Sequence, residues 1–517
     1  SGSAPLPGAI LEYQEGGTLD DQAHPPANYA PIAANQSLVV FGGAFTDVTL
    51  TAQDFEQAPL TYSVTSNPAK GTLSGTAPNL VYTPFPGSSG LDSFTYTASD
   101  GTLTSDPATV TFSLIPQSTG DLKVWNGSTD TLWTTAANWN EAAAPDSNDA
   151  VIFNEDSLSN LATSLDGNKT VSRIVVIDPT GAISIANNTL TLSGGIEMLP
   201  ASANLTISSG VTLSAAQEWS VGTGRTLLAS GALAGSTTLT KTGPGTLEFS
   251  AVGTMTGGIV VNDGTLRISG GGWTTGHVGG TGTVTVNQGA TAINVNAHSF
   301  GNANNPSRDI VLNGGGFLLA AETYVDDVTC TAGLIGNTVG GGGDLRSRSG
   351  NNSVLTVNAS DFPTVVDAPF NAVGTWAVSV ANGAASHDLV MSGQITGSAA
   401  ITKSGAGRML VSSASTHTGS FTLSAGELAV SGSLASPLTI QSGATLSGTG
   451  TVQGTVTHNG IISPGIDGIA VLNLGALTQS SGSSTRITLN GTNPGSGHDQ
   501  LAVTGAATLS GTLQAFL

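Results

Sequence analysis

The chain has 517 residues, 70 of them glycine, and a formal net charge of −21 with only 13 lysines and arginines. That charge repels a phosphate backbone and leaves no basic stripe to track one, which argues against nucleic acid and against an anionic membrane surface as partners. Only 9% of the chain is charged and 5% aromatic. Its apolar residues, mainly Val, Leu, Ile and Ala set among Thr, Ser, Asn and Gly, favour short strands and tight turns over helix.

Residues 1–31 contain Pro5, Pro7, Pro25, Pro26 and Pro31, a composition for extended backbone rather than a packed unit. Within this arm "GAILEYQ" offers a short β-prone segment whose Ile10, Leu11 and Tyr13 suit pairing with an exposed sheet edge. The opening "SGSAPLPG" has neither the charged nor the apolar region of an export signal. A chain of this composition is expected outside the cell with that signal already removed. No apolar run reaches the roughly 20 residues of a spanning helix, so membrane insertion is not expected.

Residues 32–116 alternate through about seven short strands separated by turn residues, the spacing of a β-sandwich. The stretches "PLTYSV", "KGTLSG", "LVYTP" and "DSFTYTASDG" resemble the cadherin-like and immunoglobulin-like modules of bacterial surface proteins. Members of that family often carry D-x-D-G-D before "PLTY", where carboxylates bind calcium. Here the run reads "AQDFEQAPLTY", without the glycine and the further acids. Asp54, Glu56, Asp92 and Asp100 therefore read as solvated turn residues.

Residues 117–193 bring Trp125, Trp133 and Trp139 close together. They read as an apolar lid over the first coils of a stacked sheet, where large apolar area is needed in few residues. The competing reading is an aromatic platform for a sugar ring, which would make the protein a glycan-binding adhesin with a groove near Trp125, Trp133, Trp273 or Trp376.

Residues 194–517 settle into strand, glycine, strand. "LTKTGPGTLEFSAVGTMTGGIVVNDGTLRISG" (239–270) aligns without a gap to "ITKSGAGRMLVSSASTHTGSFTLSAGELAVSG" (401–432). Alternation predicts Leu247 and Phe249 inward with Thr246 and Glu248 outward, and Met409 and Val411 in the matching inward slots. Gly243, Gly245, Gly257, Gly264 and Gly270 recur as Gly405, Gly407, Gly419, Gly426 and Gly432 and are expected to serve sharp bends. One such coil cannot bury its apolar face, but stacked coils share a core. Coils of roughly 20 to 25 residues would number about 16 to 20.

The 239–270 segment resembles the autotransporter-associated β-strand repeat of bacterial secreted and surface proteins. "WNGSTDTLWTTAANWN" and "GTGTVQGTVTHNGIISPG" resemble the segments that precede and close such repeats. The resemblance implies an all-β chain: a right-handed parallel β-helix, here behind an N-terminal sandwich, forming passenger regions, surface rods or adhesin shafts, most without known catalytic residues.

Parallel β-helices also include polysaccharide lyases and hydrolases, whose acids and bases gather on neighbouring coils. The densest such stretch runs from Arg308 to Asp367 and includes Asp309, Glu322, Asp326, Asp327, Asp344, Arg346, Arg348 and Asp361. Turn-capping aspartates account for the same residues. No H-E-x-x-H, G-x-G-x-x-G or G-x-S-x-G motif occurs. The single cysteine, Cys330, reads as a small buried apolar side chain. The expectation is a non-catalytic exported protein without cofactor or metal, whose partner is another copy of itself: a head-to-tail fibre in which the arm docks on a neighbour.

Overall fold

A computed structural model describes residues 28–517 apart from 42, 87, 89, 116–119, 201, 271–280, 298, 301–307, 340 and 348–351. The chain divides into two compact units, residues 1–117 and 118–517. Among the described residues there is no α-helix, and one three-residue 3-10 turn spans Ala136–Asn138. The arm residues Ile10, Leu11 and Tyr13 lie outside the described residues.

In the first unit a four-stranded sheet runs Gln36–Phe41, Ala108–Ile115, Gly90–Ser99 and Thr61–Val64, and a three-stranded sheet runs Thr46–Thr49, Asn79–Pro84 and Gly71–Thr76. Strict alternation along Gly90–Ser99 turns Phe94, Tyr96 and Ala98 into the core, where Tyr82 stacks on Phe112 with ring centroids 3.8 Å apart. Asp92 is not the solvated turn residue expected. It sits on the same strand, 6% exposed, and accepts hydrogen bonds from Ala69 N (2.8 Å), Lys70 N (2.9 Å) and Tyr82 Oη (2.7 Å). Its inward position would cost several kcal/mol if those donors were absent. Asp100 does cap a turn, accepting from Thr102 N and Leu103 N.

The second unit is a parallel β-solenoid. Its two long sheets contain 18 and 17 strands, and the remaining side carries shorter sheets of 4, 4 and 5 strands. At about 4.8 Å per rung the longest sheet extends ~80 Å. The first rung is already in the cap, where Leu122–Val124 pairs in parallel with Ala150–Phe153, and pairing continues without a break past residues 193 and 194. Thr246–Phe249 and Arg408–Val411 bury alternate residues, with Leu247, Phe249, Met409 and Val411 inside. One apolar core results, continuous from Trp125 to Leu477. At one corner Asn313 donates to Asn287 (3.0 Å) and Asn287 to Asn262 (2.6 Å), so side chains repeat the rung-to-rung bonding of the backbone.

The repeated glycines serve two purposes rather than one. Gly243 and Gly264, like Gly405 and Gly426, have positive φ, between 66° and 76°, the bend that was expected. Gly257 and Gly270 do not: a Cβ there would overlap Thr237 O and Ser250 O of the coil beneath. The corresponding Gly419 and Gly432 face Ala399 O and Ser413 O in the same way. Coils that close up to hydrogen-bonding distance leave no room for a side chain at these corners.

Gly264 combines both demands, since a Cβ would lie 2.5 Å from Gly243 O and from Gly245 O. Gly264→Val is expected to lower stability by at least about 1–3 kcal/mol, read as a reduced Tm. Gly167→Ala, at an open position, is expected to change it by less than about 0.5 kcal/mol. Equal melting of the two variants would refute the corner assignment.

Candidate functional site

The three cap tryptophans are buried, at 0%, 0% and 1% exposure for Trp125, Trp133 and Trp139. They pack edge to face, with centroids 5.0 Å apart for Trp125 and Trp139 and 5.6 Å for Trp133 and Trp139. Each indole N–H is spent inside the protein, on Ser159 O, Thr163 Oγ1 and Trp133 O respectively. No ring face is left for a sugar to stack on. Trp376 is 1% exposed and packs on Phe370 at 4.5 Å. Trp273 lies outside the described residues.

The stretch from Arg308 to Asp367 is divided among different sheets. Asp327 opens a strand of the 18-stranded sheet, whereas Arg346 lies on a short sheet of the third side. Arg346 gathers Asp344 (Nε to Oδ1 and Oδ2, 2.9 and 2.8 Å), Glu322 (Nη1 to Oε2, 2.5 Å) and Tyr324 Oη (3.3 Å), and Asn371 donates to Asp344 Oδ2 (3.0 Å). Asp309 stands apart from them; burial first, then the Asp327 carboxylate, push its carboxyl upward. Asp367 accepts from Ser392 Oγ (2.9 Å). Arg348 lies outside the described residues. Arg308 is buried with its guanidinium 5.9 Å from the Phe300 ring centroid. Burial pushes the Cys330 thiol up to about 12, which keeps it protonated and inert.

A polar concave site lies elsewhere, on the outer face of the 17-stranded sheet. Arg408 and Glu427 stand opposite one another on adjacent rungs and pair at 2.9 Å, and Glu427 Oε1 accepts from Ser447 Oγ at 2.5 Å. After the strand Ile461–Pro464 the chain folds back over this face. Gly465 and Gly448 exchange backbone hydrogen bonds of 2.8 and 3.0 Å, and Asp467, at φ 59°, reaches Arg408 Nη1 at 3.1 Å. A groove of about 480 Å³ lies between this segment and the sheet. Burial opposes the charge on Arg408, but Glu427 and Asp467 together outweigh it and raise its pKa, so the group stays cationic. Further along the groove, Arg486 is exposed and donates to Gln514 Oε1 at 3.2 Å. Among the described residues no carboxylate lies within ion-pair distance of it.

Beneath the outer face sit two lysines that alternation alone would have exposed as anomalies. Lys241 and Lys403 occupy inward strand positions and are completely buried. Lys241 Nζ donates to the carbonyls of Thr242, Gly243 and Asp263 (2.9, 2.5 and 3.1 Å), and Lys403 Nζ to those of Gly405, Gly407 and Ala425 (2.9, 2.6 and 2.9 Å). Each ammonium thus donates to a cluster of carbonyls at a glycine corner. Burial lowers both pKa values to about 8, with Asp263 opposing for Lys241, and Asp388 and Glu427 for Lys403. Among the described residues no group of three or more His, Cys, Asp or Glu side chains could hold a metal ion.

Residues 28–113 match the bacterial Ig domain. Residues 239–268 and 401–430 each match the passenger-associated-transport-repeat, and both matches begin on the strand that carries the buried lysine. No curated protein matches the chain. Two solved structures of an endo-fucoidan hydrolase from glycoside hydrolase family 107 show local similarity. One, a single-site variant, is 30% identical over 18% of this chain and 14% of that chain; the other is 20% identical over 24% and 18%. The TM-score is 0.15 for both. The chain therefore spans less than a fifth of either structure. Passenger-type repeats on a β-solenoid, with a bacterial Ig domain, suggest an autotransporter passenger-like protein at the cell surface or beyond it. No helix among the described residues is long and apolar enough to cross a membrane.

The cages make stability depend on pH in a set direction. A lysine whose folded pKa is about 8 against about 10.4 unfolded binds fewer protons in the folded state between those values. Its contribution to stability therefore rises with pH from about 8 to 10.4 and is least favourable below 8. Lys403→Met is expected to destabilise the solenoid by about 1–3 kcal/mol at pH 7, because three carbonyls lose the ammonium's hydrogen bonds. The gain in denaturation midpoint between pH 8 and 10 is expected to be smaller in the variant than in the parent. An identical gain would show that Lys403 does not titrate in this window.

Proposed function

We propose that this chain is a non-catalytic structural shaft displayed outside a bacterial cell, and that copies join end to end into a fibre. The observation that supports the shaft is the single uninterrupted core, from Trp125 to Leu477. Inward polar groups such as Lys241, Lys403 and His417 bond to carbonyls of their own or neighbouring coils. Catalysis needs groups left poised for a substrate, whereas Arg346 and Arg408 hold their neighbouring carboxylates in ion pairs.

Joining end to end is the finer part of this reading. The strand Thr512–Phe516 pairs with Ser484–Thr488 and is the last strand of its sheet. Along this coil Leu509 and Leu513 are 71% exposed and Phe516 49%. Beside them a cavity of about 730 Å³ opens among Leu477, Ile487, Leu501 and Leu513. An apolar sheet edge of this kind accepts a further strand, and the β-prone segment around Ile10, Leu11 and Tyr13 in the arm of a second copy is the strand assigned to it. In this arrangement the edge of one copy meets the arm of the next, a heterologous contact that propagates.

Deleting residues 1–31 is expected to abolish large assemblies, seen by light scattering and electron microscopy, while the Tm of the remaining body is preserved. An intact chain that stays monomeric at high concentration would overturn the fibre. Release of reducing or unsaturated ends from a polysaccharide, lost in Asp344→Ala, would overturn the non-catalytic reading.

A further inference from the structure

The groove over Arg408 and Glu427 lies on the outer face of the 17-stranded sheet, and its lining shares no residue with the apolar core. It draws on five successive rungs, those of Arg408, Glu427, Ser447, Ser463 and Arg486. At about 4.8 Å per rung this is ~19 Å from end to end. Its volume of about 480 Å³ falls in the range of small-molecule sites, roughly 300–1,000 Å³. Such sites are mostly apolar. This one is bordered instead by the hydroxyls of Thr445, Ser447, Ser463 and Thr488 and the amide of Asn490, groups that both donate and accept.

We infer that this groove binds an anionic saccharide, with Arg486 meeting the charge of the ligand. Three features carry the assignment. An elongated, mainly polar trough with donors and acceptors along it matches a chain of hydroxyl-bearing rings better than an apolar ligand. The two carboxylates present, Glu427 and Asp467, are both turned onto Arg408 at 2.9 and 3.1 Å, and neither pairs with Arg486, which is left without an acid and so can meet a ligand's charge. Arg408 pairs with two acids of this groove, whereas Arg486, in the same groove, has no carboxylate partner among the described residues. A carboxylate or sulfate ester on the ligand supplies it, and a guanidinium takes either in a bidentate contact. The net charge of −21 is no obstacle, because at physiological salt charges beyond about 8 Å are screened.

The test is calorimetric titration of the full chain at physiological salt with three probes: a uronate oligosaccharide, a sulfated oligosaccharide and an uncharged oligosaccharide of similar length. At least one anionic probe is expected to bind ten-fold or more tightly than the uncharged one, and the preferred probe distinguishes carboxylate from sulfate. Arg486→Gln is expected to remove that preference, and Arg486→Lys to keep part of it, both with unchanged Tm because the residue is exposed. Ser463→Ala, away from the charge, is expected to weaken all probes alike. Equal binding of charged and uncharged probes, no binding of either anionic probe at millimolar concentration, or full retention of the preference in Arg486→Gln would each overturn the assignment.

Discussion

Everything in the second unit depends on one constraint: the backbone N–H and C=O groups of each coil are satisfied by the coil before and the coil after. Parallel pairing from Leu122–Val124 through to Ala507–Thr508 fixes the separation of rungs, and the rest follows from that separation. Corners too close for a Cβ take glycine. Inward columns fill with Val, Leu, Ile and Phe because each residue meets its like above and below. A polar side chain turned inward must bring partners of its own, as His417 does with Ser436 Oγ at 2.6 Å and Ala399 O at 2.7 Å, and as both caged lysines do with carbonyls.

The same stacking shapes the outer surface. Residues opposite one another on adjacent rungs are close enough to pair, so Arg408 meets Glu427, and Arg267 meets Glu248 at 3.3 Å. Flat faces built this way offer little concavity. A groove arises where the chain leaves the ladder and folds back, as it does between Pro464 and Ala470, held by Gly448 below and by Asp467 on Arg408.

Alternation and turn residues made the sheets and the inward side of Leu247, Phe249, Met409 and Val411 legible without coordinates, because a period of two is a local property. The glycines were half legible: a bend is encoded nearby, but the approach of Thr237 O to Gly257 comes from another coil. Asp92 was misread for a similar reason, since Tyr82 and Lys70 meet it only across the fold. Of the acidic stretch, the grouping of Asp344, Arg346 and Glu322 was legible as density along the chain, and the separation of Asp309 and Asp327 from them was not. The lysines had a signal that was available and missed: in "LTK" and "ITK" they stand two residues after an inward Leu239 or Ile401. The groove had none, because Asp467 and Arg408 are 59 residues apart.

The two lysines align residue for residue, yet the ladder does not place them in one column. Reading rung to rung from Leu239 leads through Ile259, Val284, Ile310, Val328, Leu355 and Val378 to Lys403, so Lys403 continues the column of Leu239 rather than that of Lys241. A shift of two residues preserves which side chains face inward, and nothing else about their vertical neighbours is kept. What the copies share is therefore closed within themselves: each ammonium reaches carbonyls of its own coil and of the next, and none further away. The repeat behaves as a two-coil cassette that carries its internal wiring with it, indifferent to height in the stack, which makes it transferable along such a chain without retuning the coils around it.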